Sequence, residues 1–380
     1  MAPLISALQG HAHLEPVIAV TGQHREMLDQ VNSLFDITPD HDLDLMRHGA
    51  SITDLLSRAL TSISALLADT APDVVVVQGD TTSALAGALS AFYQKIPVVH
   101  LEAGLRTGNM SSPFPEEANR RLTAPISRLH LAPTATSRTN LENEGIDAGS
   151  IVVTGNTVID ALQRTTQLQV DFRDPAIAHV LASTRRILLV TAHRRESWGA
   201  RMNESMSAIR RVGEANPDLQ ILLPMHRNSI VRDVISGVLG SLPNVTLTEP
   251  LSYLEFSHAL SASHIVLTDS GGVQEEAPSL GKPVLVMRET TERPEAVHAG
   301  TVRLVGTDGE TIFTELSRLL NDNDAYLEMA NAVNPYGDGH AAPRAVAAIS
   351  QMLGMGERLP DFDYGSAVKT EQAPFKRRLG

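Results

Sequence analysis

Three groups of residues in this chain have the types and spacing to do chemistry, and each follows a run rich in β-branched residues. The first comprises VVQGDTTS (Val76–Ser83), HLEAGLRTG (His100–Gly108) and SPFPEEANR (Ser112–Arg120). Open parallel sheets bind ligands beyond the carboxyl ends of their strands, so Asp80 and Glu102 are expected to face one cleft, with Glu116 returning to it from a Pro-rich loop. Carboxylates gathered in one crevice repel, so at least one keeps its proton near neutral pH and the set contains both an acid and a base. Two plainer readings stand beside this one: Asp80 as a helix N-cap ahead of Thr81 and Thr82, and Glu102 as the ion-pair partner of Arg106.

The second group is LTDSGGVQEEAPSLGKPVLVMR, Leu267 to Arg288. It reads as strand, tight turn, helix, loop and strand. Gly271 and Gly272 fall where the strand gives way to the helix, and the missing side chains let backbone N–H groups approach a phosphate at the positive end of the helix dipole. Ser270 adds a hydroxyl donor there. Glu276, one turn along, can accept hydrogen bonds from ribose hydroxyls, and Arg293 in TTERPEAV is a further candidate for a diphosphate. The plain alternative is an ordinary glycine-rich corner capped by Asp269 or Ser270. The third group, VTAHRRES (Val190–Ser197), places His193 beside Arg194 and Arg195, a titratable imidazole with two fixed charges suited to an anion that leaves and returns. A solvated surface cluster would look the same, and Trp198 after it reads as packing.

These groups need a scaffold that delivers them at strand ends. Short β-branched runs alternate with stretches of helical period, the mark of βαβ units and parallel sheets. Strands are expected at Val17–Thr21, Asp73–Gln78, Pro97–Leu101, Leu129–Ala132 and Ile151–Thr154. A second series is expected at Arg186–Thr191, Leu219–Pro224, Val245–Thr248, His264–Asp269, Pro283–Met287 and Val302–Val305. No strand is expected between Val158 and Arg185, which puts a domain boundary there, with one domain over residues 1–165 and another over 166–353. The last helix, about Ala341 to Met352, is free to pack back on the first domain. Residues 354–380 mix Pro, Gly and charge without periodicity, as a mobile tail would.

A chain of 380 residues is long enough for two cores. Its formal charge of −13 and the lack of any basic stripe argue against nucleic acid as a ligand. There is no Cys, which excludes disulfides and thiolate chemistry. No apolar run reaches the roughly 18 residues of a membrane span, and the first residues have no signal-peptide pattern, so the expected setting is the cytoplasm. No His/Asp/Glu spacing resembles a metal site. The dinucleotide G-x-G-x-x-G, the P-loop and the G-x-S-x-G elbow are also missing, which weakens dehydrogenase, kinase and hydrolase readings.

Taken together, QHREMLDQV (Gln23–Val31), GDTTS, HLEAGLRTG, SPFPEEANR, VTGNTVIDAL (Val153–Leu162), HRRES, TDSGGVQEEAPSLGKPV, TTERPEAV and NPYGDG (Asn334–Gly339) resemble the non-hydrolysing UDP-N-acetylglucosamine 2-epimerase family, in the family's order. The resemblance runs from about Met1 to Met352. It implies two Rossmann-like domains facing across a cleft, the GT-B fold, and a homodimer that interconverts UDP-GlcNAc and UDP-ManNAc without metal or nicotinamide cofactor. It assigns catalysis to Asp80, Glu102, Glu116 and His193, and UDP binding to Ser270, Gly271, Gly272, Glu276 and Arg293. Gln23, His24 and Arg25 match a segment that binds a regulatory second UDP-GlcNAc in some members.

The sequence departs from the family pattern in places. Leu251 stands where many relatives carry Gln, and Gly49 and Ala50 replace the Arg-Gln of some regulated members. The family's opening strand and its G-T-R-P-E-A-I-K loop precede the position of Met1. The product is therefore expected to start upstream, because without a central first strand its neighbours would carry unpaired backbone groups. Other readings of the same motifs are a GT-B glycosyltransferase, a hydrolysing epimerase and an inactive UDP-sugar-binding protein.

Overall fold

The computed structural model describes residues 1–22, 25–47, 49–193, 199–291 and 293–364. These form two compact units, one of Met1–Ala161 together with the segment that returns at Tyr336, the other of Leu162–Pro335.

In the first unit the strands are β1 (Ala19–Val20), β2 (His41–Asp42), β3 (Val75–Gln78), β4 (Val98–Leu101), β5 (Leu129–Ala132) and β6 (Ile151–Val153). All pair in parallel, in the order β3-β4-β5-β6 in one sheet and β1-β2 in another. Every residue of β4 and β5 is buried, which suits the continuous apolar runs of a sheet covered on both faces. One cover is the helix Ile52–Thr70, whose Leu55, Ala59, Ile63 and Leu67 recur every four residues on its inner face. It packs with the alanine-rich helix Thr82–Tyr93, begun by Thr81, whose hydroxyl accepts from the Ala84 N–H at 3.1 Å. Among the described residues β1 and β3 share no ladder, and the Thr21 hydroxyl reaches the Ser83 hydroxyl at 3.2 Å. The expectation from sequence did not include β2, whose two residues, His41 and Asp42, are both polar.

The opposite cover joins the two ends of the chain. Leu4 from the helix Ala2–Gln9 and Ala345, Val346 and Ile349 from the helix Ala341–Met352 pack on Val99, Leu101, Leu131 and Val152. The Asp160 carboxylate accepts from the N–H groups of Ala341 and Ala342 at 3.2 and 2.8 Å, so it serves the unsatisfied donors at the start of that last helix. Part of the segment expected to be a mobile tail is anchored here. Phe362 is buried and donates its N–H to Val153 O at 2.7 Å, and Asp361 pairs with Arg138 at 2.8 Å. Residues beyond 364 lie outside those described.

The second unit holds one six-stranded parallel sheet of β7 (Ile187–Thr191), β8 (Gln220–Pro224), β9 (Val245–Thr248), β10 (Ile265–Thr268), β11 (Val284–Val286) and β12 (Val302–Leu304). The order β12-β11-β10-β7-β8-β9 is the doubly wound order, with the chain reversing direction across the sheet between β7 and β10. Loops after neighbouring strands on either side of that reversal diverge and leave a crevice at the carboxyl ends of β7 and β10. No helix among the described residues is long and apolar enough to cross a membrane.

One glycine of the first unit makes a sharp test of the packing behind the HLEAGLRTG loop. Gly104 has φ +90°, and a Cβ on it would lie 2.2 Å from Ser137 O in the helix Ala135–Asn143. Gly104→Ala is expected to cost about 2 kcal/mol or more, through the left-handed conformation and the clash together. Urea unfolding should show a lower midpoint with an unchanged slope.

Candidate active site

In the first unit, Asp80 follows the turn that ends β3. Gly79 has φ +69°, its N–H donates to Leu101 O at 3.0 Å, and its carbonyl lies 2.8 Å from His100 Nε2. His100 is fully buried, and burial pushes its pKa down to about 4, so the ring is neutral and Nε2–H donates to that carbonyl. The Asp80 carbonyl accepts from Asn119 Nδ2 at 2.8 Å, and its carboxylate pairs with Arg120 at 2.5 Å. Asp80 is not the helix cap, since Thr81 takes that place.

Glu102 stands one residue past β4, opposite the end of β3, and has φ +63°. A non-glycine residue held in the left-handed region is a strain that the surroundings must impose, and such residues gather at functional sites. Gln78 Nε2 donates to Glu102 Oε2 at 3.3 Å. Arg106 makes its two-pronged contact to Glu144, at 2.8 and 2.7 Å, rather than to Glu102.

Glu116 is the first residue of the helix Glu116–Thr123. The next residue organises the neighbourhood. Glu117 has no exposed surface, and its carboxylate accepts from the N–H groups of Thr107 and Gly108 at 3.0 and 3.3 Å and contacts Arg120 and Arg121 at 3.4 and 3.2 Å. One carboxylate thus ties the HLEAGLRTG loop to the helix that supplies Glu116, Asn119 and Arg120. Sequence reasoning missed this role, although the i, i+3 and i, i+4 spacing of Glu117 with Arg120 and Arg121 was its signal.

In the second unit, His193 lies two residues past β7 and Asp269 one residue past β10, at the strand reversal. The His193 N–H donates to Asp269 Oδ2 at 2.7 Å, and Nδ1 stands 2.7 Å from Oδ1. Asp269 is almost wholly buried. The strand ends below are joined by the Thr191 and Thr268 hydroxyls, 2.6 Å apart, and Ser270 N–H donates to the Thr268 hydroxyl at 2.9 Å. Arg194, Arg195 and Trp198 lie outside the described residues.

The helix after the SGG turn is short, Val273–Ser279, and Gly272 occupies its cap position without a side-chain bond. Neither Asp269 nor Ser270 caps it. Gly272 has ordinary helical geometry and nothing within 4 Å of where a Cβ would stand, so neither strain nor packing in the protein requires glycine there. Glu276 is buried and accepts from the Tyr253 hydroxyl at 3.0 Å; burial pushes its carboxyl up to about 7, against that hydrogen bond. Arg293 Nε contacts Glu275 Oε1 at 2.5 Å, and the Thr291 hydroxyl donates to Gln274 Oε1 at 2.7 Å, which brings the TTERPEAV loop onto the same helix. Ser270, Gly271, Gly272 and Glu276 therefore lie on one short segment, and Arg293 is joined to it through Glu275.

Gln23 and His24 lie outside the described residues. Arg25 is exposed in the first unit and pairs with Asp42 and with Asp44, the latter at 3.1 Å. Among the described residues no group of three or more His, Asp or Glu is placed to hold a metal ion.

Parallel α/β units with these strand-end sites define the GT-B class of fold. The model of the family described as UDP-N-acetylglucosamine 2-epimerase matches residues 6–350. The chain is 51% identical over 354 residues to the UDP-N-acetylglucosamine 2-epimerase of Salmonella typhimurium, covering 92% of this chain and 94% of that one. It is similar to the structure of UDP-GlcNAc 2-epimerase from Neisseria meningitidis bound to UDP-GlcNAc, with a TM-score of 0.83, 46% identity and 92% and 96% of the two chains covered. It is also similar to S. aureus MnaA solved with UDP, with a TM-score of 0.86, 42% identity and 96% of each chain covered. The chain belongs to the UDP-N-acetylglucosamine 2-epimerase family, and it is an enzyme of the isomerase class.

The Glu117 network yields a pH prediction. Burial alone would raise its pKa, but the Thr107 N–H, Arg121, the Gly108 N–H and Arg120 together hold it below the usual carboxylate value of 4.5. A depressed folded-state pKa contributes stability that is present above the unfolded value and is lost as pH falls through the folded one. The protein should lose stability below about pH 4.5, and Glu117→Gln should flatten that acid limb while lowering stability at neutral pH. Thermal melts of both proteins across the acid range check this.

Proposed function

We propose that the enzyme reversibly converts UDP-GlcNAc to UDP-ManNAc by eliminating UDP to 2-acetamidoglucal and adding it back. Carbon 2 of the sugar carries an amide nitrogen rather than a neighbouring carbonyl, so its C–H bond is too weak an acid for direct removal. When the anomeric C–O bond breaks, positive charge develops at carbon 1 and the carbon 2 proton comes within reach of a carboxylate. Protonation on the opposite face and return of UDP to carbon 1 complete the epimerisation. The chemistry needs a base, an acid and a hold on the departing diphosphate.

Asp80, Glu102 and Glu116 supply the proton-transfer groups, and His193 acts on the sugar or its leaving group. Ser270, Gly271 and Gly272 take the diphosphate, Glu276 the ribose hydroxyls, and Arg293 adds charge. The observation that carries this reading is the strained Glu102 at the end of β4, beside an Asp80 whose carbonyl and carboxylate are both fixed by the helix that begins at Glu116. Support also comes from the relative that was solved with UDP-GlcNAc bound. The reading extends to a cytoplasmic homodimer that keeps its intermediates, rather than hydrolysing them, and supplies ManNAc for cell-surface polysaccharide.

NMR of UDP-GlcNAc incubated with the enzyme in deuterated water is expected to show deuterium at carbon 2 of both epimers and no accumulation of free sugar. Epimerisation with protium retained at carbon 2 would exclude the glucal route, and release of free ManNAc with UDP would identify a hydrolysing enzyme.

The nucleotide side has its own test. An ionised Glu276 accepts ribose hydroxyls better than a neutral one, so UDP affinity should weaken as pH falls below about 7. Glu276→Gln should bind UDP more weakly and lose that pH dependence. Gly272→Val should weaken UDP binding by about 10-fold or more through a blocked backbone approach, with the melting temperature little changed. Calorimetric titration with UDP reads all three effects, and wild-type affinity in Gly272→Val would move the diphosphate elsewhere.

A further inference from the structure

We infer that Tyr253 is a positioning residue that holds the Glu276 carboxylate through Oε1 and leaves Oε2 to the ribose hydroxyls of the nucleotide. The inference rests on the reading that Glu276 takes those hydroxyls. The Tyr253 hydroxyl donates to Glu276 Oε1 at 3.0 Å, and among the described residues it is the one hydrogen-bond partner of that carboxylate. Glu276 is only 7% exposed. A carboxylate removed from water with a donor on one oxygen has acceptor capacity left on the other, and its charge there needs further donors. Two neighbouring sugar hydroxyls, each with a proton to give, meet that need.

The phenol is carried on a fixed backbone. Tyr253 opens the helix Tyr253–Ala262, next to the cap residue Ser252. The Ser252 hydroxyl accepts from the Glu255 N–H at 3.3 Å, and Glu255 Oε2 accepts from the Ser252 N–H at 2.9 Å, so the first turn is closed from both sides. Glu255 Oε1 accepts from the Arg173 N–H at 3.0 Å, and the Ser257 hydroxyl donates to Tyr253 O at 2.7 Å. Burial, and after it the charge of Glu276, pushes the Tyr253 phenol upward, so it keeps its proton and is the donor. The other charged groups acting on Glu276 are Glu275 on its own helix and Arg293 from the TTERPEAV loop. Strands β10 and β11, packed against that helix, carry no titratable side chain.

The test compares calorimetric binding of UDP and of 2′,3′-dideoxy-UDP, which lacks both ribose hydroxyls, to the intact enzyme. The wild type should prefer UDP by about 10-fold or more, because the analogue leaves Glu276 unpaired. Tyr253→Phe keeps the ring and removes the hydroxyl. It is expected to cut that preference by about 10-fold, weakening UDP while the affinity for the dideoxy nucleotide holds. The lost donor also favours the protonated carboxyl, so the fall in UDP affinity with falling pH should begin at a higher pH than in the wild type. Added to Glu276→Gln, the Tyr253→Phe change should cost no more than about 3-fold. A preference kept in Tyr253→Phe but lost in Glu276→Gln overturns the inference and leaves the ribose reading standing. Equal weakening of both nucleotides in Tyr253→Phe also overturns it, since the phenol would then serve the fold alone. No preference in the wild type, which needs no variant to fold, or full preference in Glu276→Gln removes the ribose reading and the inference with it.

Discussion

The first unit depends on a buried carboxylate that does no chemistry of its own. Glu117 gathers two backbone N–H groups from the loop after β4 and two guanidinium groups from its own helix, and one of these, Arg120, pairs with Asp80. A carboxylate removed from water needs such donors, because an unpaired charge there would be several kcal/mol less stable. Once Glu117 is satisfied, the loop and helix cannot move separately. The end of β3 is then held from two sides, by His100 on the Gly79 carbonyl and by Asn119 and Arg120 on Asp80.

The second unit solves the same problem with topology. Its doubly wound sheet opens a crevice where the strand order reverses, and the residues just past β7 and β10 are the ones that meet there. His193 and Asp269 occupy those positions. Beside them the SGG turn leads into a short helix whose Glu275 and Gln274 engage Arg293 and Thr291, so the TTERPEAV loop is drawn to the helix that follows the SGG turn.

The sequence made the strands legible because parallel strands buried on both faces read as short continuous apolar runs, and PVVHL and RILLVT are such runs. The strand β2 was invisible for the same reason, being two polar residues with no pattern to mark them. Positions at strand ends were also legible, and with them Asp80, Glu102, His193 and the SGG turn. The pairing partners were not. Arg106 had a carboxylate four residues earlier and another in the distant Glu144, and only folding shows that it takes the second. Asp269 read as a cap for the helix that follows, whereas its carboxylate turns back across the sheet to His193. Phe362 and Asp361 sat in a segment of loop composition, and two contacts to the first unit were enough to fix it.

The central claim is that the carboxylates of Asp80, Glu102 and Glu116 perform proton transfer and are not merely parts of the scaffold. The most direct measurement is kcat alongside UDP affinity for Asp80→Asn, Glu102→Gln and Glu116→Gln, each close in shape to the residue it replaces. Loss of about 10² or more in kcat, with UDP bound as tightly as by the wild type, is the predicted result. Near-normal turnover in all three would contradict the account, and the carboxylates would then belong to the framework that Glu117 already serves.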